Sequence, residues 1–238
     1  VIYGEPGVGK TELSKILAEI YLNMKNKKKF NPNIIKFVKR SDLVGGYLGQ
    51  TAIKTQKVLD SCKGGVIVID EAYSLGNEEG RDSYSKECID TINAFLSESP
   101  DTIMIIIGYK EHLEKCFFAH NKGLERRFTY KFSIEPYSCL ELKLILQKII
   151  NNNDWTINLD TIPTDFFIKN KDSFKYNGGD ILNLFSRAKF QHSLRYLSEG
   201  DSMVKKEISY DDLVKAHEVL NQQKTTKNDE YFPTHFYT

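Results

Sequence analysis

The sequence has no apolar run near the ~20 residues that a helix needs to cross a bilayer, and we find no signal peptide at its start. It also lacks a charge surplus, because 33 basic and 32 acidic residues give a net charge of +1. The lysine run at 25–29 is a local exception, but without interleaved aromatic residues it is more typical of a solvated loop than of a nucleic-acid patch. We therefore expect no membrane partner, and nucleic acid is not favoured as one.

Cysteines are few, and they form no recognisable motif. Cys62, Cys88, Cys116 and Cys139 are too far apart for a C-x-x-C metal or redox site, and the histidines do not pair with them. We expect reduced thiols, in the cytoplasm or another reducing intracellular compartment.

Repeats and coiled-coil heptads are also missing, and short apolar runs alternate instead with helical patterns. The length of 238 residues suits one large domain or a main domain with a small one. The apolar runs are rich in isoleucine and valine, as in parallel strands covered on both faces, so the alternation predicts a three-layer α/β/α core with a parallel sheet. Strands are predicted at 1–3, 34–38, 66–69, 103–107 and 130–134, and helices at 11–26, 51–62, 83–98 and 110–117.

The pattern changes after Pro136, where only helical segments follow. The last of these helices has Ser209 as its cap, with Asp212 three residues on. We expect an α/β domain at 1–135, a small all-helical domain at 136–221 and an extended polar tail at 222–238. Helices in the second domain are predicted at 140–150, 164–172, 179–197 and 210–220.

Residues 4–11 match the phosphate-binding P-loop, G-x-x-x-x-G-K-[ST], without a mismatch. Its glycines let the backbone turn tightly and direct N–H groups at phosphate oxygens, and the following helix adds its N-terminal dipole. The lysine places its charge on the β- and γ-phosphates, and the threonine hydroxyl binds Mg²⁺. The residues of this loop are Gly4, Glu5, Pro6, Gly7, Val8, Gly9, Lys10 and Thr11.

Two adjacent carboxylates, Asp70 and Glu71, end the buried strand predicted at 66–69. Buried charge is costly unless it is paired, and Mg²⁺ supplies a partner. Asp70 is therefore a candidate Mg²⁺ ligand alongside Thr11. Glu71 is the candidate catalytic base that orients and deprotonates the attacking water.

A pair of arginines, Arg126 and Arg127, lies just before the fifth predicted strand. An arginine near the γ-phosphate stabilises the charge that develops in phosphoryl transfer, and it often comes from a neighbouring subunit. Such a pair is usually only solvated, but its place in this order of motifs favours a catalytic role.

Taken in this order, the motifs resemble the AAA+ ATPases and, within them, the CbxX/CfqX group, which includes the red-type Rubisco activase and a bacterial sporulation ATPase. The resemblance covers nearly the whole chain. Its most specific parts are the segments DLVGGYLGQTA at 42–52 and DEAYSL at 70–75, since the P-loop alone indicates only an NTPase.

The resemblance implies a P-loop NTPase fold followed by a helical lid, and an ATPase that needs Mg²⁺. It also implies a homo-oligomeric ring, expected to be a hexamer, that acts on a protein client. Lys10 and Thr11 carry over to phosphate and Mg²⁺, Asp70 to Mg²⁺, and Glu71 to the activation of water.

The resemblance also assigns roles to residues away from the P-loop. Arg127 matches the second arginine of the family's G-L-R-x-R segment and is the preferred arginine finger, with Arg126 second. Tyr47 matches the aromatic residue of the central pore loop, which grips a polypeptide in such rings. A tyrosine between glycines also packs simple turns, so this role has an ordinary structural alternative.

A few positions depart from the family pattern. Glu125 stands where the family usually has the first arginine of its segment, and Leu182 falls where a lid arginine is often found. Arg187, about one turn further on, is an alternative to Leu182. The polar sensor of the fourth strand falls near Tyr109 or Lys110, neither of which is the usual asparagine or threonine. These departures leave the rate and the ring coupling of hydrolysis open.

Three functions are compatible with the sequence. The first is a chaperone-like remodeller of protein partners, in which hydrolysis between subunits moves the Tyr47 loops. The second is a nucleotide-gated scaffold with little hydrolysis, suggested by Glu125 and Leu182. The third is a DNA-associated loader, supported only by the lysine run at 25–29 and opposed by the near-neutral charge.

The chain has no initiator methionine and begins only three residues before the P-loop. We therefore expect it to be part of a longer protein, whose upstream residues hold most of the adenine contacts. The sequence does not identify a client.

Overall fold

The computed structural model describes residues 1–24, 34–47, 49–77, 82–199 and 205–229. The lysine run at 25–29 and the end of the tail at 230–238 lie outside these residues. The chain divides into two compact units. The first contains Val1–Glu5 and Gly9–Glu135, and the second contains Pro6–Val8 together with Pro136–Thr238. The tip of the P-loop is thus grouped with the C-terminal half of the chain.

Among the described residues, the first unit contains a five-stranded parallel sheet with the strand order β2-β3-β4-β1-β5. Ile69 pairs with Val38 on one side and with Ile106 on the other, while Ile2 pairs with Ile107 and Phe132. The strands are β1 (Ile2–Gly4), β2 (Ile35–Val38), β3 (Val66–Ile69), β4 (Ile103–Gly108) and β5 (Phe132–Ile134).

Helices follow these strands close to the predicted positions. The longest of them in this unit, α4, begins after Asp82, whose side chain accepts a hydrogen bond from the Tyr84 N–H at 3.0 Å and so caps the helix. The helices are α1 (Lys10–Met24), α2 (Arg40–Leu43), α3 (Gln50–Asp60), α4 (Ser83–Glu98), α5 (Lys110–His112) and α6 (Lys122–Glu125), with a π turn at Leu113–Phe117 and 3₁₀ turns at Ala72–Leu75 and Phe118–His120.

Alternate residues of β3 show that helices cover both faces of the sheet. Val66 and Val68 belong to a buried cluster with Ala18 of α1, whereas Ile67 belongs to a different cluster with Ile92 of α4. Successive side chains of a strand point to opposite faces, so α1 lies on one face and α4 on the other. The predicted three-layer α/β/α core is confirmed.

The second unit is mainly helical, with its own core of buried side chains that include Leu146, Phe167 and Phe185. It also contains a parallel pair of two-residue strands, which are too short to leave a pattern in the sequence. No helix among the described residues combines the length and the apolar character that crossing a membrane requires. The elements of this unit are α7 (Cys139–Asn152), β6 (Thr156–Ile157), α8 (Thr164–Lys169), α9 (Gly178–Glu199), β7 (Glu207–Ile208) and α10 (Tyr210–Asp229), with 3₁₀ turns at Leu159–Thr161 and Lys171–Ser173.

The end of the chain differs from the prediction. Helix α10 continues through Gln222 to Asp229, where we expected extended chain, so that expectation is wrong over 222–229. Glutamine and lysine have favourable helix propensities, and adding residues to an existing helix is far easier than starting one. A polar composition was therefore a poor guide to the end of this helix.

Helix α10 begins at a capping box that is tied to α9. The Ser209 Oγ accepts from the Asp212 N–H at 3.2 Å, and the Asp212 carboxylate accepts from the Ser209 N–H at 2.9 Å. Arg195 of α9 donates to the same carboxylate from Nε at 3.2 Å and from Nη2 at 3.0 Å. Burial by itself would raise the pKa of Asp212, but the hydrogen bonds from Arg195 and Ser209 outweigh burial and hold this pKa below its ordinary 3.8.

We predict that Asp212→Asn lowers the free energy of unfolding by about 2 kcal/mol at pH 7, because a charge-assisted pair with Arg195 is lost. The folded pKa of Asp212 lies below its unfolded value, so the stabilisation is present above about pH 4 and is lost as the pH falls through the folded pKa. Urea unfolding at pH 7 and pH 3 measures the difference between wild type and variant.

The matched control is Asp211→Asn, which removes an exposed carboxylate that pairs with Lys215 one turn along the helix. Its effect should stay below about 0.5 kcal/mol at either pH. A difference between wild type and Asp212→Asn that is as large at pH 3 as at pH 7 would contradict the role assigned to this carboxylate.

Candidate phosphate-binding site

The P-loop connects β1 to α1 and therefore begins at the carboxyl end of the parallel sheet, where ligands of such sheets bind. The Lys10 Nζ donates hydrogen bonds to the carbonyl oxygens of Gly4 at 2.8 Å and Glu5 at 2.7 Å. Gly7 and Gly9 have φ values of 75° and 84°, in the left-handed region that favours glycine. The loop thus folds back around the ammonium group of its own lysine.

Burial and nearby carboxylates act in opposite directions on the pKa of Lys10. Burial lowers the pKa of the ammonium from its ordinary 10.5, and the carboxylates of Asp70, Glu5 and Glu71 oppose this shift. The Nζ also lies 4.8 Å from the centre of the Tyr109 ring, within the range of a cation–π contact. A phosphate oxygen near this nitrogen would stabilise its charged form further.

The two predicted Mg²⁺ ligands lie next to each other. The Thr11 hydroxyl, in the first turn of α1, donates to the Asp70 Oδ2 at 3.2 Å. Asp70 follows β3, which is separated from β1 by β4 in the sheet, so this hydrogen bond links the ends of two strands that do not pair. A hydroxyl and a carboxylate are both oxygen ligands of the kind that Mg²⁺ takes.

Glu71 is exposed and has a left-handed backbone conformation, with φ 52° and ψ 44°. Its N–H donates to the Asp70 Oδ1 at 3.1 Å, and the chain then enters the turn at Ala72–Leu75. A non-glycine residue in this region is uncommon and costs free energy, and such outliers cluster at functional sites.

A group of aromatic residues lies beside these carboxylates. The Tyr73 and Tyr109 rings stack with their centres 5.4 Å apart, and the His112 ring lies 5.4 Å from Tyr73 and 5.8 Å from Tyr109. Burial, followed by the charge of the nearby Glu71 carboxylate, raises the pKa of Tyr73 to about 12. Tyr73 therefore remains a neutral phenol at physiological pH. No motif role for Tyr73 followed from the sequence, although it lies two residues after Glu71.

Arg40 holds the segment that follows Glu71. Its Nη1 donates to the Ser74 carbonyl at 2.6 Å, and its Nη2 donates to the Asp82 carboxylate at 2.9 Å. Because Asp82 caps α4, one guanidinium joins the turn after the acidic pair to the start of that helix. No motif in the sequence marks Arg40.

The arginine pair follows α6. The Arg127 Nε donates to the Asn93 Oδ1 of α4 at 2.8 Å, and Arg126 is exposed. Within the described residues, neither arginine forms a hydrogen bond or an ion pair with the P-loop, so the structure does not bring this pair to the phosphate site of its own chain. Glu125, the departure from the family pattern, forms an ion pair with Lys131 at 2.5 Å.

Tyr47 lies between α2 and α3 with 74% of its surface exposed. The start of this loop is anchored, since the Lys54 Nζ donates to the carbonyls of Ser41 at 2.6 Å and Val44 at 2.9 Å. An exposed tyrosine on an anchored loop is well placed to contact another molecule, while Leu48 beside it lies outside the described residues.

The remaining loop residues, Pro6–Val8, belong to the second unit, where their carbonyls accept hydrogen bonds from the C-terminal half of the chain. In the same unit, Leu182 lies in the second turn of α9 with 49% of its surface exposed. Leucine can supply no hydrogen bond to a phosphate, so the departure at this position persists in the structure.

Comparison with known proteins supports one family. A family model described as "ATPase family associated with various cellular activities (AAA)" matches residues 1–122. The chain is 44% identical over 234 residues to "Putative cfxQ-like protein R730" of Acanthamoeba polyphaga mimivirus, covering 96% of this chain and 57% of that protein. It is 31% identical over 210 residues to "Protein CfxQ homolog" of Trieres chinensis, covering 86% and 71%.

Solved structures give the same fold. The structure titled "Crystal structure of FIGL-1 AAA domain in complex with ADP" aligns with a TM-score of 0.66 at 16% identity, covering 98% of this chain and 78% of that one. At this identity the likeness concerns the fold alone. The chain spans 57% of the length of the mimivirus relative, so it corresponds to only part of that protein.

Proposed function

Because the chain belongs to the AAA family of ATPases, and within it to the CbxX/CfqX group, we propose that it binds ATP with Mg²⁺ and hydrolyses it. The observation that carries the proposal is the 3.2 Å hydrogen bond between the Thr11 hydroxyl and the Asp70 carboxylate. It joins the P-loop to the acidic strand end beside Lys10, as a metal–phosphate site requires.

The residues fit this ligand. Gly4–Thr11 would surround the phosphates, with the Lys10 ammonium on the β- and γ-phosphates, and Thr11 and Asp70 would hold Mg²⁺. Bound Mg²⁺ neutralises charge that develops on the phosphates. Glu71 would orient the attacking water and accept its proton.

Hydrolysis would need a second subunit. Arg127, or failing it Arg126, would reach the γ-phosphate of a neighbouring chain, which suits residues that make no contact with their own P-loop. For this reason we propose that the chain forms a homo-oligomeric ring. The resemblance to the family suggests that this ring is a hexamer.

The ring would remodel protein partners. The exposed Tyr47 would contact a polypeptide client, and ATP turnover would move its loop. The alternative is a nucleotide-gated scaffold with little hydrolysis, which the pairing of Glu125 with Lys131 and the exposed Leu182 favour. No contact among the described residues favours a DNA loader.

Glu71→Gln should lower steady-state ATP turnover about 100-fold or more, because the amide keeps the shape but cannot accept the proton. Binding of MgATP should persist. Phosphate release by full-length protein measures turnover, and Glu98→Gln, which alters an exposed carboxylate at the end of α4, is the control. Tight MgATP binding without turnover in the wild type would instead support the scaffold.

Mixing two inactive variants tests whether the site is shared between subunits. Lys10→Ala loses its own phosphate site but still offers its arginine, whereas Arg127→Ala loses the arginine and keeps the phosphate site. Each variant alone should be nearly inactive, and their mixture should recover turnover well above either, because some interfaces then combine an intact site with an intact arginine. No recovery would exclude Arg127 as the finger, and the same mixture with Arg126→Ala tests the second candidate.

Tyr47→Ala tests the remodelling proposal. An unfolded polypeptide such as permanently denatured casein should stimulate the ATP turnover of the wild type, and this stimulation should be lost in the variant, because the exposed ring that would grip the chain is gone. The control is Ile53→Ala, which removes another exposed apolar side chain from α3. Stimulation that survives in Tyr47→Ala would rule out the pore-loop role.

A further inference from the structure

Successive carbonyl oxygens at the tip of the P-loop are held by the C-terminal half of the chain. The Val8 carbonyl accepts a hydrogen bond from the Tyr137 hydroxyl at 2.8 Å. The Gly7 carbonyl accepts one from the Gly178 N–H, at the start of α9, at 3.0 Å. Loop and donors belong to the same compact unit.

Asn177 completes this arrangement and connects its parts. Its Nδ2 donates to the Pro6 carbonyl at 3.3 Å, and its Oδ1 accepts from the Tyr137 N–H at 3.0 Å. The residue is only 4% exposed and has a φ of 47°, a left-handed conformation that asparagine tolerates better than most side chains. The buried Asn177 amide thus contacts the loop directly at Pro6. It also holds the backbone of Tyr137, whose hydroxyl contacts the loop at Val8.

The approach of the two segments leaves no room for side chains at the contact. A Cβ on Gly7 would lie 2.0 Å from the Tyr176 carbonyl oxygen, and a Cβ on Gly178 would lie 3.0 Å from the Gly7 carbonyl oxygen. Glycine is therefore required at position 7 for two reasons, the left-handed φ of 75° and the lack of space for a Cβ at this contact.

Because peptide bonds are planar, these carbonyl contacts also fix the directions of the neighbouring N–H groups. In a trans peptide the C=O of one residue and the N–H of the next point in opposite directions, and the described chain has no cis peptide bond. Holding the carbonyls of Pro6–Val8 therefore directs the N–H groups of residues 7–9 away from the C-terminal donors. Among the described residues, no acceptor takes any of these three N–H groups. They are the donors that a P-loop offers to phosphate oxygens.

We infer that Tyr137 and Asn177, together with the Gly178 N–H, are positioning residues for the phosphate site, and this inference rests on the proposed function. They act through the loop backbone, by orienting its N–H groups before a nucleotide arrives. The loop is then already ordered when the nucleotide binds, so the entropy cost of ordering it does not weaken the binding.

The test is Tyr137→Phe in the full-length protein, with binding measured by calorimetry. Loss of the hydroxyl should raise the Kd for MgADP about three- to tenfold, since one hydrogen bond that fixes the loop is removed. The Kd for inorganic pyrophosphate with Mg²⁺ should rise by a similar factor, whereas the Kd for adenosine, which has no phosphate, should stay the same. The matched control is Tyr130→Phe, which removes a hydroxyl from a ring that is 73% exposed.

Asn177→Gly is a second, independent variant. Glycine accepts the φ of 47° without strain but removes the side-chain hydrogen bonds with Pro6 and Tyr137, so the same selective loss of MgADP and pyrophosphate binding is expected. Tyr137→Phe leaves the backbone at residue 177 unaltered. Weaker binding in both variants would therefore be attributed to loss of the contacts that position the loop, and not to altered backbone conformation at residue 177.

Each result has a distinct meaning. A wild type that binds MgADP, with both variants binding it within twofold of wild type, would overturn the inference and leave the proposed function standing. Equal weakening of adenosine and MgADP would also overturn it, since it would indicate general loosening of the fold. A wild type that binds neither MgADP nor pyrophosphate would instead remove the proposed function, and the inference with it.

Discussion

Strand β3 sets the position of the acidic pair, and the candidate site depends on it. Its residues, Val66–Ile69, are buried on both faces and pair with a strand on each side, so the strand has no freedom to shift in depth. Asp70 follows at once, and the cost of burying an unpaired carboxylate keeps it out of the sheet. The 3.2 Å contact with Thr11, 59 residues earlier in the chain, is a consequence of where this buried strand ends.

Opposite charges balance one another around that strand end. The Lys10 ammonium is surrounded by backbone carbonyls and an aromatic ring, with the carboxylates of Asp70 and Glu71 near enough to influence it. Acceptors alone would suit a simple cation, and donors alone would suit a simple anion. A site that offers both kinds within a few residues suits a ligand in which a metal ion and phosphates arrive together.

Contiguous motifs made the fold and the family predictable. The P-loop at 4–11, the apolar run before Asp70 and the alternation of strands and helices led to the α/β/α core, which the structure confirms, and to the family, which the comparisons confirm. The roles of individual residues, from Lys10 to Arg127, remain predictions. The end of α10 was missed because helix propensity, without an apolar stripe, carries the helix on through a polar segment.

Other parts of the site could not be predicted from the sequence, because they depend on contacts between residues that are far apart in the chain. Arg40 acts through the carbonyl of Ser74 and the carboxylate of Asp82, and Asn177 acts through the carbonyl of Pro6. A backbone carbonyl exists at every position, so a side chain that binds one has no complementary residue type to reveal it. Only the folded chain shows which of the many possible pairs forms.

The bond between Asn177 and Pro6 also has a consequence for the order of events during synthesis. The two residues are 171 positions apart, so the P-loop leaves the ribosome long before its partner does. Contacts of such separation form late in folding, after the intervening chain has ordered. A nascent chain that stops short of residue 177 already carries every residue of the P-loop motif, yet the Pro6 carbonyl in its loop still lacks the Asn177 side chain that binds it.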